Sequence, residues 1–257
     1  MIASPLPEER RQHILHILMQ EGKVTAPNLS ERLGVSEDTI RRDLKDLEKA
    51  GQLTRVHGGA LPRTPSVTSY EKRQSLNIQA KTVIAKEAAK LIQSGQVVLI
   101  DGGTTALEVV RQFAPDLRAT ILTISPPVVM ELSNHPHVEV VMLGGSLDKT
   151  SMTITGASTQ DALGRIRADV CILGVCSLHE GIGVTTLSFE EAEMKRRMIQ
   201  NATDVIAVVT AEKLGTAAPF VVSDINEVSH IVTEASVSDD MLEPYERLGI
   251  QVVKARV

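Results

Sequence analysis

The chain has 257 residues, of which 42% are hydrophobic and 23% charged, with a formal net charge of -5. This composition excludes an intrinsically disordered chain, and the length is sufficient for two domains. No apolar run approaches the roughly 18 residues of a membrane span, and the N-terminus lacks the apolar core of a signal peptide. We therefore expect a cytoplasmic protein.

The cysteine and histidine content argues against a metal centre. Cys171 and Cys176 lie in or beside an apolar run and match no metal-ligand or CxxC spacing. The seven histidines are scattered along the chain without the spacing of a zinc site. We expect buried free thiols in a reducing compartment, and neither a metal nor a cofactor.

The first sixty residues predict three capped helices. Residues 8–21 carry a broad apolar face and end at Gly22. Thr25 is a candidate N-cap for a short helix that stops at Gly34, and Ser36 is a candidate N-cap for a third helix with acidic residues in its first turn. A helix, a tight glycine turn and a second capped helix form the helix-turn-helix pattern.

The charges of the third helix are sorted between its two sides. At about 100° per residue, Ile40, Leu44 and Leu47 share one side, and the basic residues 41, 42, 45 and 49 lie opposite. A helix of this kind suits the major groove of DNA, with caps and basic side chains facing phosphates and base edges. Residues 52–60 then alternate and turn at Gly58-Gly59, which predicts a two-stranded wing. Either feature alone is also compatible with a solvated helix face or a plain turn, whereas the ordered combination favours DNA binding.

A change in composition divides the rest of the chain. Residues 62–76 are polar and rich in Pro, Ser and Thr without helical periodicity, so they predict a linker. From residue 77 onward seven short aliphatic segments alternate with helical ones, which predicts a parallel sheet covered on both faces. The sequence thus predicts an α/β protein. An N-terminal winged helix-turn-helix domain (1–61) is followed by the linker (62–76) and a larger Rossmann-like, mostly parallel α/β domain (77–257).

Small polar loops follow several of the predicted strands. Ligands of such sheets bind at the carboxyl ends of the strands. The loop Asp101-Gly102-Gly103-Thr104-Thr105 precedes a helix, where glycine backbone and a helix N-terminus favour an anion. By itself this motif is equally compatible with a structural turn. Further strands end in polar positions, namely Thr123, Ser125, Gly144, Gly145, the 174–183 loop and Lys213. Together these loops indicate a compact phosphorylated ligand.

The N-terminal motifs resemble the DeoR/GlpR family of bacterial transcription regulators. The matching stretches are ERRQHIL, LSERLGVSEDTIRRDLKDLEKAG and RVHGGAL. Residues 81–253 resemble the family's sensor domain, which is related to sugar-phosphate isomerases and CoA transferases, through K-x-x-IA-x-x-AA-x-LI, D-x-GTT, LGG, GI-x-x-T-x-x-x-x-EA and K-x-G. Three positions depart from the family pattern: Ile124 replaces an Asn, Thr210 an Asp and Glu234 an Asp.

The resemblance implies a repressor of a carbohydrate operon that responds to a phosphorylated sugar or polyol. It implies a double-stranded DNA operator as partner and a homo-oligomer, a dimer or a higher even assembly. The DNA-binding candidates are Ser36, Thr39, Arg41, Arg42, Lys45, Arg55 and His57. The effector candidates are Asp101, Gly102, Gly103, Thr104, Thr105, Thr123, Ser125, Gly144, Gly145 and Lys213, with Gly103 to Thr105 at the phosphate and Lys213 near the ligand.

Two other classes of function remain open at this point. An enzyme is one, because the resemblance includes catalytic relatives, although no carboxylate pair has a spacing that requires acid–base chemistry. Glu190, Glu191 and Glu193 precede Lys195, Arg196 and Arg197, as expected for the dipole-matched ends of a solvated helix. A protein-interaction module built on the helix-turn-helix pattern is the other.

Overall fold

The structure is a computed structural model that describes residues 6–63 and 69–256. Within these ranges no helix is long and apolar enough to cross a membrane. Residues 64–68 of the predicted linker, and the first five residues and the last residue of the predicted domains, lie outside the described residues.

The N-terminal domain has the predicted winged helix-turn-helix architecture. Its elements are α1 (Pro7–Glu21), β1 (Val24–Thr25), α2 (Ala26–Leu33), α3 (Glu37–Lys49), β2 (Leu53–Val56) and β3 (Gly59–Pro62). Thr25 and Ser36 cap α2 and α3 through their side-chain oxygens, and Gly22 and Gly34 end α1 and α2 in the left-handed conformation. The three strands form an antiparallel sheet in the order β1-β3-β2. The local capping signals were therefore sufficient to delimit these helices.

Helix α3 is fixed to α1 by a buried carboxylate as well as by apolar packing. Ile40, Leu44 and Leu47 are buried in the core of the domain. Asp43 is only 3% exposed and accepts a hydrogen bond from Arg10, while Arg11 bonds both Asp43 and Asp46. A buried carboxylate needs such partners because its desolvation is costly. This charged contact on the inner side of α3 thus determines which face of the helix points outward.

The segment predicted as an irregular linker contains a helix. Helix α4 (Tyr70–Ser75) begins at Ser69, whose hydroxyl caps it, and the ring of Tyr70 is buried against the core of the large domain. Six residues are too few to display a helical period, so the sequence pattern did not reveal it. The next helix, α5 (Ile78–Lys90), corresponds to the predicted amphipathic segment.

The large domain is built on a sheet of seven parallel strands, as the sequence predicted. The sheet elements and their connecting helices are β4 (Val97–Ile100), α6 (Thr104–Arg111), β5 (Ala119–Thr123), α7 (Pro126–Leu132), β6 (Val138–Met142), α8 (Ala157–Leu163), β9 (Ala168–Gly174), α9 (Phe189–Gln200), β12 (Ala202–Val208), β14 (His230–Glu234), α10 (Asp239–Arg247) and β15 (Gln251–Ala255). The strand order is β15-β14-β12-β9-β4-β5-β6. Side chains of α5, α6 and α7 cover one face of the sheet, and those of α8, α9 and α10 cover the other. Both faces are therefore buried in aliphatic cores, as parallel sheets require.

The strands are added to the sheet first on one side of β4 and then on the other, so the strand order reverses between β4 and β9. From β4 the chain adds β5 and β6 on one side, then returns to place β9 and all later strands on the other side. The helices that follow β4 and β9 consequently diverge and leave a crevice above the ends of these two strands. This is the switch point at which open α/β sheets bind ligands.

Two small antiparallel units were not anticipated from the sequence. Strands β7 (Ser146–Asp148) and β8 (Thr153–Thr155) form a hairpin. Strands β10 (Ser177–His179), β11 (Gly183–Thr186) and β13 (Phe220–Ser223) form a second sheet. These strands of three or four residues are too short to establish an alternating pattern. The β7–β8 hairpin supplies residues to the crevice.

Candidate functional site

A cavity of about 320 Å³ occupies the crevice above β4 and β9. It is lined by the N-terminus of α6, the ends of α4 and α9, the β7–β8 turn, the residues after β9 and a 3-10 turn at Ala211–Lys213. Of the predicted effector residues, the lining includes Gly103, Thr104, Thr105 and Lys213. The cavity therefore brings together six separate parts of the chain.

A buried ion pair lies directly beneath the cavity. Lys195 of α9 donates to a carboxylate oxygen of Asp101 and, at 2.6 Å, to the carbonyl of Gly174. The Gly174 amide donates to the same Asp101 oxygen at 3.0 Å. Burial lowers the pKa of Lys195, but the carboxylates of Asp101 and Glu191 outweigh it and raise that pKa to about 12. Lys195 is therefore charged, and its pairing joins the ends of β4 and β9 to α9.

This pair changes two expectations drawn from the sequence. One carboxylate oxygen of Asp101 accepts from both Lys195 and Gly174, and Asp101 is not among the residues that line the cavity. Helix α9 is not simply a solvated helix with matched ends, because Lys195 is only 4% exposed. The sequence did not reveal this buried ammonium group, because a buried lysine and an exposed lysine cannot be distinguished within a run of charged residues.

The N-terminus of α6 opens into the cavity. Gly103 is its N-cap residue and provides no side-chain cap, which leaves amides of the first turn without an intrahelical partner. Thr104 and Thr105 are buried and line the cavity. A Cβ on Gly174 would lie 2.9 Å from an Asp101 oxygen and 3.3 Å from the Gly103 Cα, so only glycine allows the two strand ends to approach. The arrangement is an anion cradle at a helix N-terminus.

Three basic side chains converge on the same space. They are Arg73 of α4, Lys81 of α5 and Lys213, and Lys81 donates to the Arg73 carbonyl. Burial, together with the positive charges of Lys213 and Arg73, lowers the pKa of Lys81 to about 8. Burial also lowers the pKa of Lys213. Like charges held close together in a cavity are stabilised by an anion, which the neighbouring helix N-terminus also favours.

Polar groups from other loops complete the lining. Asp148, Thr150 and Ser151 come from the β7–β8 turn, where the Asp148 carboxylate accepts from the Thr150 amide at 2.9 Å and the Ser151 hydroxyl at 2.7 Å. Asn77, in the left-handed conformation with φ of 51°, donates to Glu212 at 2.9 Å. Carboxylates and hydroxyls of this kind suit the hydroxyl groups of a ligand whose anionic end is held elsewhere.

The sequence did not single out Arg73, Lys81 or Lys195 as site residues. Lys81 opens one of the motifs that resemble the sensor domain, which was an available signal. Arg73 belongs to the helix that was interpreted as linker. Cys176 also lines the cavity, and it is less buried than expected although both cysteines are free. Burial raises the pKa of the Cys176 thiol, which keeps it protonated near neutral pH.

Besides Asp101, five predicted effector residues are absent from the described lining of the cavity. Thr123 donates to the Ile100 carbonyl at 2.8 Å and accepts from the Ser125 amide, which fixes the end of β5 beside β4. A Cβ on Gly102 would lie 1.9 Å from a Thr153 methyl group, and one on Gly145 would lie 2.2 Å from the Thr159 hydroxyl. The Gly144 carbonyl accepts from that hydroxyl at 2.8 Å. These residues serve the packing of the strand ends. That role requires the same small or polar residue types as a ligand site does.

The predicted DNA-binding residues lie at the N-terminus and along α3 and on the wing, and most of them are exposed. Arg41, Arg42, Lys45, Arg55, His57 and Ser36 are exposed, and Thr39 is half-buried. Ser36 accepts from the Thr39 amide, and their hydroxyls lie 2.9 Å apart. Arg41 pairs with Glu37 at 2.8 Å and with Asp38, and Arg55 lies 3.8 Å from Glu48. Within the described residues, Arg42 and Lys45 form no ion pair, so their charges are available to an external partner.

Comparison with known proteins gives a consistent assignment over the whole chain. Residues 10–65 match the family described as the DeoR-like helix-turn-helix domain, and residues 76–235 match the DeoR C terminal sensor domain. The chain is 33% identical to the HTH-type transcriptional regulator GlpR of Haloferax volcanii, over 96% of this chain and 98% of that protein. It is 30% identical to the HTH-type transcriptional regulator GolR of Listeria innocua, over 96% of this chain and 98% of that protein.

A further relative and a solved structure extend the comparison. The glycerol-3-phosphate regulon repressor of Escherichia coli K12 is 30% identical over 88% of this chain and 90% of that protein. Ribose 5-phosphate isomerase A of Methanocaldococcus jannaschii superposes with a TM-score of 0.40 at 19% identity, covering 53% of this chain and 54% of that one. That structural likeness is too weak to bear on activity.

These relatives answer the two alternatives left open by the sequence, because they are regulators of transcription and not enzymes or general interaction modules. The chain belongs to the DeoR family of helix-turn-helix transcriptional regulators.

Proposed function

We propose that this regulator represses a carbohydrate operon and that a phosphorylated sugar or polyol, bound in the cavity above β4 and β9, controls its affinity for DNA. The observation that carries the proposal is the convergence of Lys81, Lys213 and Arg73 on the uncapped N-terminus of α6. The relative named as a glycerol-3-phosphate regulon repressor supports a ligand of this class.

The two ends of the cavity suit the two ends of such a ligand. Amides of the first turn of α6 and the Thr104 and Thr105 hydroxyls hold the phosphate, and Lys81 and Lys213 balance its charge. The Asp148, Thr150 and Ser151 side chains on the β7–β8 turn then face the hydroxyl groups. A volume of about 320 Å³ matches a compact metabolite and is too small for a dinucleotide.

On the DNA side, α3 enters the major groove and the β2–β3 wing contacts the backbone. Arg42 and Lys45 project from the exposed face of α3. His57 at the tip of the wing and Arg55 on β2 lie within reach of phosphates. Arg41 exchanges its contacts with Glu37 and Asp38 for contacts with DNA.

We expect exchange of Arg42 for alanine to weaken binding to the preferred duplex by about 1–3 kcal/mol, because an arginine contact to a guanine edge is lost. The duplex is selected from genomic fragments retained by the purified protein, and affinity is measured by fluorescence anisotropy. Lys86→Ala, an exposed lysine on α5, is the matched control. If the Arg42 and Lys86 variants bind equally well, α3 does not form the DNA interface.

We expect a homo-oligomer, either a dimer or a higher even assembly, because one N-terminal domain offers only a small DNA-binding surface. Up to Leu61 the nine Lys and Arg residues balance nine Asp and Glu residues, so one N-terminal domain has little general attraction for DNA. Pairing over two half-sites supplies the missing affinity. Sedimentation of the full chain at micromolar concentration is therefore expected to show an even assembly. A monomer that binds its duplex tightly would contradict this proposal.

The phosphate site predicts a clear selectivity between ligands. Glucose 6-phosphate, ribose 5-phosphate and glycerol 3-phosphate are compared with glucose, ribose and glycerol by thermal shift. At least one phosphorylated compound stabilises the protein while its unphosphorylated partner does not. Lys213→Ala reduces the affinity for that compound about tenfold or more, because a charge-assisted hydrogen bond is lost, whereas Lys86→Ala retains it. Equal stabilisation by both sets of compounds would rule out a phosphate site.

The lowered pKa of Lys81 predicts a pH dependence for anion binding. Lys81 is charged below pH 8 and loses its proton above it, since its pKa is about 8. Sulfate remains a dianion throughout, so its affinity falls by about tenfold between pH 7 and pH 9. Calorimetric titration of Lys81→Met gives weaker binding with a flatter profile, and Lys86→Met keeps the wild-type slope. A slope in Lys81→Met as steep as that of the wild type would exclude Lys81 from the anion site.

A further inference from the structure

One short segment of the large domain contacts both the cavity and the N-terminal domain. It runs from Ala211 to Ala218, between β12 and β13. Glu212 and Lys213, near its start, line the cavity. Ala217, four residues after Lys213, lies against the base of the wing. The segment therefore joins the two sites by a path of only a few residues.

The wing side of this contact involves residues adjoining both wing strands. The Thr54 hydroxyl of β2 donates to the Ala217 carbonyl at 3.0 Å. The backbone of Arg63, immediately after β3, pairs with Ala217 as a parallel bridge. The Arg63 guanidinium also donates to the Gly51 carbonyl at 2.9 Å, in the turn that follows α3. Ala217 is thereby connected to the wing and, through Arg63, to the end of the recognition helix.

Hydrogen bonds within the segment and to neighbouring strands hold most of its residues. The Thr216 hydroxyl donates to the Lys213 carbonyl at 2.8 Å, and the Lys213 amide donates to the Thr210 carbonyl at 3.0 Å. The Gly215 amide donates to the Leu178 carbonyl and the Ala218 amide to the Thr185 hydroxyl, both at 2.8 Å. A stiff segment of this kind moves as a unit, so a displacement of Lys213 also displaces Ala217.

The geometry points to the Ala211–Ala218 segment as the mechanical connection by which occupancy of the cavity alters the wing, with the Thr54–Ala217 hydrogen bond as its contact with the N-terminal domain. This inference rests on the proposed function, because it assigns the regulation of the same cavity. A ligand that attracts Lys213 shifts the segment, and the shift changes the geometry of β2 and β3. Coupling of this type is reciprocal, so DNA on the wing also alters ligand affinity.

Thr54 is the residue at which the connection can be tested without touching either site. It is half-buried on β2, is not part of the proposed DNA contacts, and does not line the cavity. Thr54→Val removes the donor and keeps the shape of the side chain. Thr82→Val is a matched control, because the Thr82 hydroxyl also donates to a backbone carbonyl at 3.0 Å, that of Ile78, within α5 and away from the wing.

The test follows amide hydrogen exchange in the full-length wild type, Thr54→Val and Thr82→Val. Two perturbations are applied at the cavity, namely saturating inorganic phosphate and the substitution Lys213→Ala. In the wild type and in Thr82→Val, each perturbation changes the exchange rates of the β2 and β3 amides by about two- to tenfold, the range of one hydrogen bond. In Thr54→Val the changes at the wing amides are reduced at least twofold, because only the Arg63–Ala217 backbone bridge remains, while amides of the first turn of α6 still respond to phosphate.

Two outcomes would overturn the inference. One is an equal response of the wing in Thr54→Val and Thr82→Val. The other is an unchanged wing in wild-type protein when Lys213→Ala alters exchange around the cavity. If phosphate protects no amide of the first turn of α6, the proposed phosphate site is wrong, and the Lys213→Ala arm still decides whether the segment transmits to the wing.

Discussion

The carboxylate of Asp101 and the ammonium group of Lys195 meet beneath the crevice of the large domain, where neither has access to bulk water. Placing two charges in such a position is costly, and the cost is offset only when each finds good partners. Both find Gly174, whose amide donates to Asp101 and whose carbonyl accepts from Lys195. The ends of β4 and β9 and one face of α9 are therefore fixed relative to one another. Removing Lys195 would leave the Asp101 carboxylate buried without its cationic partner.

The proposed anion site depends on this arrangement. The ion pair with Lys195 fixes Asp101 at the end of β4. The chain then continues through Gly103, and α6 begins with its amides directed into the cavity. Lys195 neutralises the Asp101 carboxylate, which would otherwise repel a phosphate in the cavity. The remaining cations, Arg73, Lys81 and Lys213, then act on the ligand space. Burial and, secondly, the positive charges of Lys213 and Arg73 lower the pKa of Lys81, and an anion in the cavity would offset both effects.

The two domains use charge differently. In the N-terminal domain acidic and basic residues are equal in number but sorted, with Asp43 turned inward onto Arg10 and Arg11 and with Arg42 and Lys45 turned outward. In the large domain the basic residues that matter are gathered inside a cavity. Two connections reach the cavity: helix α4 brings Arg73 to it, and the Ala211–Ala218 segment joins it to Ala217 at the wing. Asn77 joins these two connections through its hydrogen bond to Glu212.

The sequence by itself determined everything that depends on short-range patterns. The caps Thr25 and Ser36, the glycines at 22 and 34, and the seven aliphatic strands follow from local backbone preferences and from burial on one or both faces. The loop from Asp101 to Thr105 was recognisable because a strand, two glycines and a helix start occur in direct succession. Only the tertiary structure decided which polar loops share a cavity, because the strand order, and not the chain order, makes β4 and β9 neighbours. It showed that Thr104 and Lys213 line the cavity whereas Thr123 and Gly145 do not. It also showed that Lys195 is buried while Arg197 in the same helix is exposed. Identical residue types acquire different roles there because burial and pairing across long sequence distances leave no periodic trace in the sequence.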